Sequence, residues 1–276
     1  MKISTHINGV DYLIDIEQAQ SIAIALNFNG SQPNHFGAKL ASSHAMQGGG
    51  FIGDTKQGGS CNVNILHLNP HCNGTHTESI HHVVDQSVNI GSITNNSLSS
   101  CLLISVTPIN ANTLDDESYF PSLAETDRVI DAKSLQQACS NLPLDEIESL
   151  VIRTLPNSND KKSAIYGEHM QPAFFTTEAM SWIAQTSIKH LLVDFPSVDK
   201  MYDEGYLDNH HIFWNIPRAS HQLDDNCRSD RTISEMVYVN DDIKDGLYCL
   251  SLQIPAFETD AAPSRPLLYP LIAIES

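Results

Sequence analysis

The sequence has no apolar run approaching the ~18 residues that cross a bilayer, and its first twenty residues, "MKISTHINGVDYLIDIEQAQ", turn polar too early for the h-region of a signal peptide. Positive charge is also scarce. Fifteen Lys and Arg stand against 33 Asp and Glu, giving a formal charge of −18. A nucleic-acid backbone is repelled by such a field, and no Lys/Arg cluster makes a local exception. The six cysteines, Cys61, Cys72, Cys101, Cys139, Cys227 and Cys249, form no CxxC pair. In a chain of 276 residues they do not read as the disulfide frame of a small secreted domain. These absences predict a cytoplasmic protein with reduced thiols, without nucleic-acid or membrane partners. The N-x-S/T triplets at Asn73 and Asn95 then carry no meaning. Two catalytic signatures are missing as well: without G-x-S-x-G there is no nucleophile elbow, and without H-E-x-x-H no zincin helix.

The hydrophobic share, 41%, is that of a globular protein, and there are no low-complexity stretches or repeats of fixed period. We read residues 1–276 as a single domain. An alternating run to His6, Asn8-Gly9 and "VDYLIDI" predict a hairpin. Residues 42–60, "SSHAMQGGGFIGDTKQGGS", are rich enough in Gly and Ser to predict a mobile loop. The GxGxxG inside them has neither a preceding apolar strand nor a following helical pattern, so it is no dinucleotide fingerprint.

Strands are predicted at "CNVNILHLN", "CLLISVTPI", "SLVIRTL", "KHLLVDF", "TISEMVYV", "GLYCLSLQIP" and "PLLYPLIAI". Helices are predicted after caps at Asp131, running to about Cys139, and at Thr176 or Thr177, over "TEAMSWIAQTS". The chain between Pro196 and "TISEMVYV" reads as irregular. Strand-rich ends around alternating helix and strand predict an α/β protein with a mixed β-sheet flanked by helices.

Against this background one loop stands out. Five of the thirteen histidines fall between His67 and His82, in "HLNPHCNGTHTESIHH". Imidazole is the commonest metal ligand among side chains, and a carboxylate often completes its site. A single loop histidine more often just hydrogen-bonds the backbone; a cluster that also holds Gly-Thr and an acid reads as a metal site. His76 and Glu78, two apart, face one side of an extended segment. Gly74-Thr75 permits the bend that brings His71 to the same centre, and a turn near Ile80 would admit His82. His67 and His81 read as structural.

The segment "GTHTESIHH" resembles the cyclase family of metal-dependent hydrolases, which includes bacterial kynurenine formamidase and isatin hydrolase and whose motif is H-x-G-T-H-x-D-x-P-x-H. Gly74, Thr75, His76 and His82 match it, and Glu78 takes the place of the acid. The likeness continues in "LLVDFPSVDK" (Asp194, Pro196, Ser197, Asp199), in "NHHIFW" with His210, in "TISEM" with Glu235 and in "APSRPLL", so that it spans residues 63–272. It implies a swivelling β/β/α-like fold and a homodimer or higher homo-oligomer. It also implies a centre of one or two divalent ions, Zn or Mn, held by His76, Glu78, His210 and Glu235, with His82 as the proton shuttle. The sequence departs from the motif in three ways. The position four before His76 is Cys72 rather than His, with His71 one residue earlier; the acid is Glu rather than Asp; and the proline is missing. We expect His71 to be the remaining ligand. It has the family's residue type, a one-residue bulge before Gly74 would bring it into place, and a thiolate would weaken the Lewis acid.

A divalent ion on His and carboxylate ligands lowers the pKa of water to about 7 and polarises a carbonyl, and a histidine can return a proton to the leaving amine. The resemblance therefore implies hydrolysis of a small-molecule amide, such as the formamide of N-formylkynurenine. A cyclic amide or lactone, as in isatin hydrolase, is the alternative substrate, and a non-catalytic metal- or ligand-binding member of the family the alternative of another class. Phe36, Phe51, Phe213 and Trp214 are available to line a substrate slot, although aromatic residues of this kind are more often plain core.

Overall fold

A computed structural model describes residues 1–93, 98–140 and 144–274. At the N-terminus β1 (Lys2–Ile7) and β2 (Val10–Asp15) pair antiparallel, with Ile7 opposite Val10. Both turn residues, Asn8 (φ 51°) and Gly9 (φ 79°), adopt the left-handed angles that a two-residue hairpin turn requires.

Besides the two-residue strand Gln20–Ser21, which pairs antiparallel with the last of them, the remaining strands of the main sheet are β3 (His76–Glu78), β4 (Ser99–Val106), β5 (Ser149–Thr154), β6 (His190–Val193), β7 (Thr232–Glu235), β8 (Gly246–Ser251), β9 (Ala261–Pro263) and β10 (Leu267–Ala273). Their order is β1-β2-β10-β8-β4-β5-β6-β7-β3-β9. The central run β4-β5-β6-β7 is parallel, and strands on both sides join it antiparallel. The fold is mixed α/β, as the alternation of helix and strand predicts.

Burial explains the central strands. Every residue of β5 and β6 is buried, as expected of parallel strands covered on both faces. One apolar layer, with Leu102, Ile104, Leu150, Ile152, Leu191 and Val193, packs against α1 (Ala132–Cys139) and α2 (Thr177–Ala184) through Leu135, Ala179, Met180 and Ile183. The other face carries Leu103, Val151 and Leu192 into a second cluster with Val237, Val239 and Leu250. Thr176 caps α2, its hydroxyl accepting from the Ala179 amide at 3.1 Å.

Two expectations are corrected. Residues 42–60 contain paired strands, Ser42–Ala45 with Asn64–His67 and Gln47–Gly48 with Phe51–Ile52. The second pair turns through Gly49 (φ 56°) and Gly50 (φ 83°), so glycine there makes a hairpin and does not prevent one. The stretch after Pro196 holds a helix, α3 (Asp208–Trp214), entered through Leu207 in the left-handed region without a side-chain cap. Phe213 and Trp214 are fully buried in the core, the commoner of the two roles open to them. Asn73 is fully buried, whereas Asn95 lies outside the described residues. All six cysteines are free. Among the described residues no helix is long and apolar enough to cross a membrane.

Candidate metal centre

Short β3 lies between β7 and β9, and its register builds the centre. Glu235 stands opposite His76, and Ile233 opposite Glu78. Directly opposed residues share a sheet face, as do residues two apart, so His76, Glu78 and Glu235 project together. Gly74 (φ 155°, ψ −166°) occupies a region that is essentially glycine's own. Its carbonyl accepts from His76 Nδ1 at 3.0 Å, which leaves the Nε2 lone pair facing the centre. Thr75 Oγ1 accepts from the Ile24 amide and donates to the Met236 carbonyl, tying the loop to the residue after Glu235.

His71 arrives differently from the expected bulge. Residues Pro70–Asn73 form one helical turn capped by Asn69, whose side chain accepts from the His71 amide. The turn points His71 Nδ1 at Glu78 Oε2, 3.0 Å away, and places Nε2 at 2.8 Å from Asp260 Oδ2. Cys72 is buried, and burial, aided by the charge of Glu235, pushes its thiol above its ordinary pKa. A single 3-10 turn, Ile80–His82, then brings His82 back, its ring stacked on His71 with centroids 4.3 Å apart. His82 Nε2 is 4.0 Å from Glu78 Oε2, and its Nδ1 is 3.6 Å from Asp260 Oδ2.

Helix α3 supplies His210. Its Nε2 is 2.8 Å from Glu78 Oε1 and 3.9 Å from Glu235 Oε1. Its Nδ1 bonds Asp199, which also accepts from the Tyr119 hydroxyl and the Asn209 amide. Glu235 Oε1 in turn accepts from the Val198 amide. Of the motif "DFPSVDK", Asp199 therefore orients a site histidine. Asp194 instead closes the ends of β5 and β6, accepting from Thr154 and Lys161 Nζ at 2.8 Å.

All six residues singled out in the sequence thus meet at one place. Two groups of donor atoms within 4.8 Å of one another share Glu78: His71, Glu78 and His82, and His76, Glu78 and Glu235. Cys72 belongs to neither. Burial alone would raise the Glu78 carboxyl, but the charges and hydrogen bonds of His82, His210 and His71 hold it well below the usual carboxylate range. Burial opposes a proton on His71, yet its bonds to Asp260 and Glu78 raise its pKa to about 10. Asp260 is correspondingly lowered, chiefly by its hydrogen bonds to His71 and His82.

The donor set fits a divalent cation. His76 Nε2 is buried without a hydrogen-bond partner, its nearest acid being Glu235 Oε2 at 3.4 Å, although unpaired buried polar atoms are costly. Three imidazoles with two carboxylates suit a borderline ion such as those that favour nitrogen and oxygen. Two neighbours escaped the sequence reading. Asp260 lies 189 residues from His71, and its only local sign is an acid just before "AAPSRP". His35, a buried ring whose backbone amide donates to the Cys72 carbonyl, sits in "QPNHFG" with no sign beyond the Pro and Gly that bend the chain.

Comparison with known proteins finds the same fold among solved structures. The predicted metal-dependent hydrolase from Bacillus stearothermophilus shares 16% identity at a TM-score of 0.57, over 91% of this chain and 97% of that one. An isatin hydrolase bound to the product analogue thioisatinate shares 14% identity at 0.62, over 93% of both chains. Isatin hydrolase A from Ralstonia solanacearum shares 13% at 0.62, over 92% of both. At these identities the likeness is one of fold. No curated protein sequence matches the chain. The Cyclase family profile matches residues 13–200, more than half of the sequence, and the chain belongs to that family.

Proposed function

We propose that the protein is a metal-dependent hydrolase of a small aromatic amide, cleaving the C–N bond of an open-chain formamide of the N-formylkynurenine type. The observation that carries this reading is the buried convergence of His76, Glu78 and Glu235, with His76 Nε2 left without a hydrogen-bond partner. His71, His76, Glu78, His210 and Glu235 would hold the metal, of Zn or Mn type, as one ion or two. A divalent ion there supplies Lewis acidity and lowers the pKa of water. A second reading, hydrolysis of a cyclic amide, is supported by the two isatin hydrolases that share the fold.

The chain's own groups divide the remaining work. His76 and His210 are held through Nδ1, by the Gly74 carbonyl and Asp199, so their Nε2 atoms are fixed toward the carboxylates. Amide hydrolysis takes a proton from water and returns one to the leaving nitrogen, which calls for a base that reaches the substrate. The side chain of His82 is 26% exposed, whereas those of His76 and His210 are 0% and 2% exposed. His82 is therefore the residue to move the proton, and Asp260 faces its far nitrogen.

Elemental analysis of wild type beside His76→Ala and Glu235→Gln, followed by a panel of formanilide, isatin and a simple lactone, tests the reading. We expect metal in the wild type, most of it lost in both variants, and turnover of one amide class. Equal metal in all three proteins, or a metal-loaded wild type inert to the whole panel, overturns it.

A further inference from the structure

Residues 60–69 are exposed without a break, and they include Val63, Ile65, Leu66 and Leu68. These side chains lie in and beside the strand Asn64–His67, which pairs antiparallel with Ser42–Ala45 as a sheet of two strands. Successive residues of a strand point to opposite faces, so Ile65 and Leu66 stand on the two faces of this ribbon, 40% and 51% exposed. A two-stranded ribbon alone in water is marginally stable at best. One that is apolar on both faces calls for a partner. The ribbon is nevertheless tightly specified. The Met46 amide donates to Val63, the Gly53 amide to Met46 and the Val63 amide to Gly53. A Cβ on Gly53 would meet the Val63 carbonyl oxygen at 2.6 Å, and one on Gly59 the Ile52 carbonyl oxygen at 2.0 Å, so both approaches need glycine. The backbone is built to hold these side chains outward.

Charge and shape say what covers the ribbon. Residues 18–77 hold one acid, Asp54, beside Lys39 and Lys56, a net of +1 in a chain of −18, so the remainder carries −19. That remainder repels an anionic membrane or a nucleic acid, but it complements the ribbon. It also offers an apolar landing. Ile165 bridges to Asn34, and Phe36 meets Tyr202 edge-on at 6.2 Å, which gathers Phe36, Ile165 and Tyr202 into one exposed patch. The exposed acids Glu168 and Glu204 stand near it in sequence, whereas the ribbon carries Lys56 in the turn Thr55–Gln57. An apolar centre with a polar rim is the anatomy of a protein interface. Only a few residues of chain separate Phe36 from Ser42, so patch and ribbon lie side by side. A two-fold interface uses such a pair reciprocally, each ribbon on the other copy's patch.

We propose that the ribbon is an arm through which two copies of this chain associate, each laying Ile65 and Leu66 against the patch of Phe36, Ile165 and Tyr202 on the other. The segment from Phe36 to Leu68 is of the size that a standard interface uses, about 20–30 residues a side. The association is independent of the hydrolase reading, because it is read from mass and not from turnover.

Sedimentation equilibrium tests it on three proteins: wild type, the double variant Ile65→Thr with Leu66→Thr, and Ile165→Asp. Threonine keeps the strand preference of the ribbon while removing apolar surface, and the aspartate sets a charge in the middle of the patch. We expect wild type at twice the 30.4 kDa of one chain, with a Kd of about 1 μM or tighter. Both variants should keep the circular dichroism of wild type, and each should weaken the Kd at least about tenfold. Hydrogen exchange on wild type serves if a variant does not fold: amides of residues 60–69 should exchange more slowly at about 50 μM than at about 0.1 μM, concentrations either side of that Kd. A wild type that stays monomeric, an unchanged Kd in either folded variant, or exchange independent of concentration overturns the proposal. A monomer that instead sediments with phosphatidylserine vesicles assigns the ribbon to a membrane surface and overturns it as well.

Discussion

Asp260 faces two histidines at once, His71 at 2.8 Å and His82 at 3.6 Å, and both rings turn their other nitrogen toward Glu78. Its backbone carbonyl also accepts from the Ser79 amide, so the acid is fixed relative to the turn that carries His82. A carboxylate on the far nitrogen of a ligand or shuttle histidine sets its tautomer and orientation, and losing such a partner typically costs 10- to 100-fold. Asp260→Asn should therefore lower kcat by roughly that factor, while elemental analysis finds most of the metal still bound through His76, Glu78 and Glu235. An unchanged kcat would make Asp260 a bystander. The contrast with His76, Glu78 and His82 shows what spacing can reveal. Those three lie on seven consecutive residues, where local geometry nearly fixes their relation. Asp260 reaches His71 only through the pairing of β9 with β3, and His35 is tied to the loop of the centre by its backbone bond to Cys72. No spacing rule encodes either contact.

At the level of elements, β3 matters more than its three residues suggest, because it sets His76 against Glu235. Its middle residue, Thr77, is fully buried and joins its neighbours through its hydroxyl, 2.7 Å from Ser234 Oγ on β7 and 2.8 Å from Ser264 Oγ just after β9. Thr77→Val keeps the shape and removes that link, leaving one or two buried hydroxyls unpaired. The variant should lose about 1–3 kcal/mol in a urea titration; a loss below about 0.5 kcal/mol would show that the serines find other partners. Strands such as β5 and β6 were legible because several consecutive apolar, β-branched residues mark a buried strand. A three-residue strand offers no period to detect, and β3 and β9 both fall below that limit. Helix α3 was missed for a related reason. Its buried residues include Asp208, Asn209, His210 and His211, polar side chains paired with Arg218, the Val198 carbonyl, Glu78 and the Pro217 carbonyl, so the apolar stripe that announces a helix is interrupted.

Across the whole molecule the charge of −18 means that acidification first relieves self-repulsion, yet one buried group works the other way. His190, on β6, is nearly fully buried with Nδ1 2.9 Å from Thr232 Oγ1. Burial, helped by the Lys189 charge and opposed by Glu148 and Asp230, lowers its pKa from 6.5 to about 4. The folded protein thus refuses a proton that the unfolded chain accepts below about pH 6.5. Stability from this group is complete above that pH and falls as the pH drops from about 6.5 through 4. At pH 5 the loss relative to pH 7 amounts to about 2 kcal/mol. His190→Asn lacks the titration. It starts less stable at pH 7, through the lost packing, but should lose about 2 kcal/mol less than wild type on going to pH 5, as read from urea midpoints and slopes of the two proteins. The relief of surface repulsion is common to both and cancels in the comparison. His190 lies outside both donor groups of the centre, so metal content should be the same in both proteins throughout. Parallel losses in wild type and variant would mean that His190 is protonated in the folded protein, and that the acid sensitivity of the fold arises elsewhere.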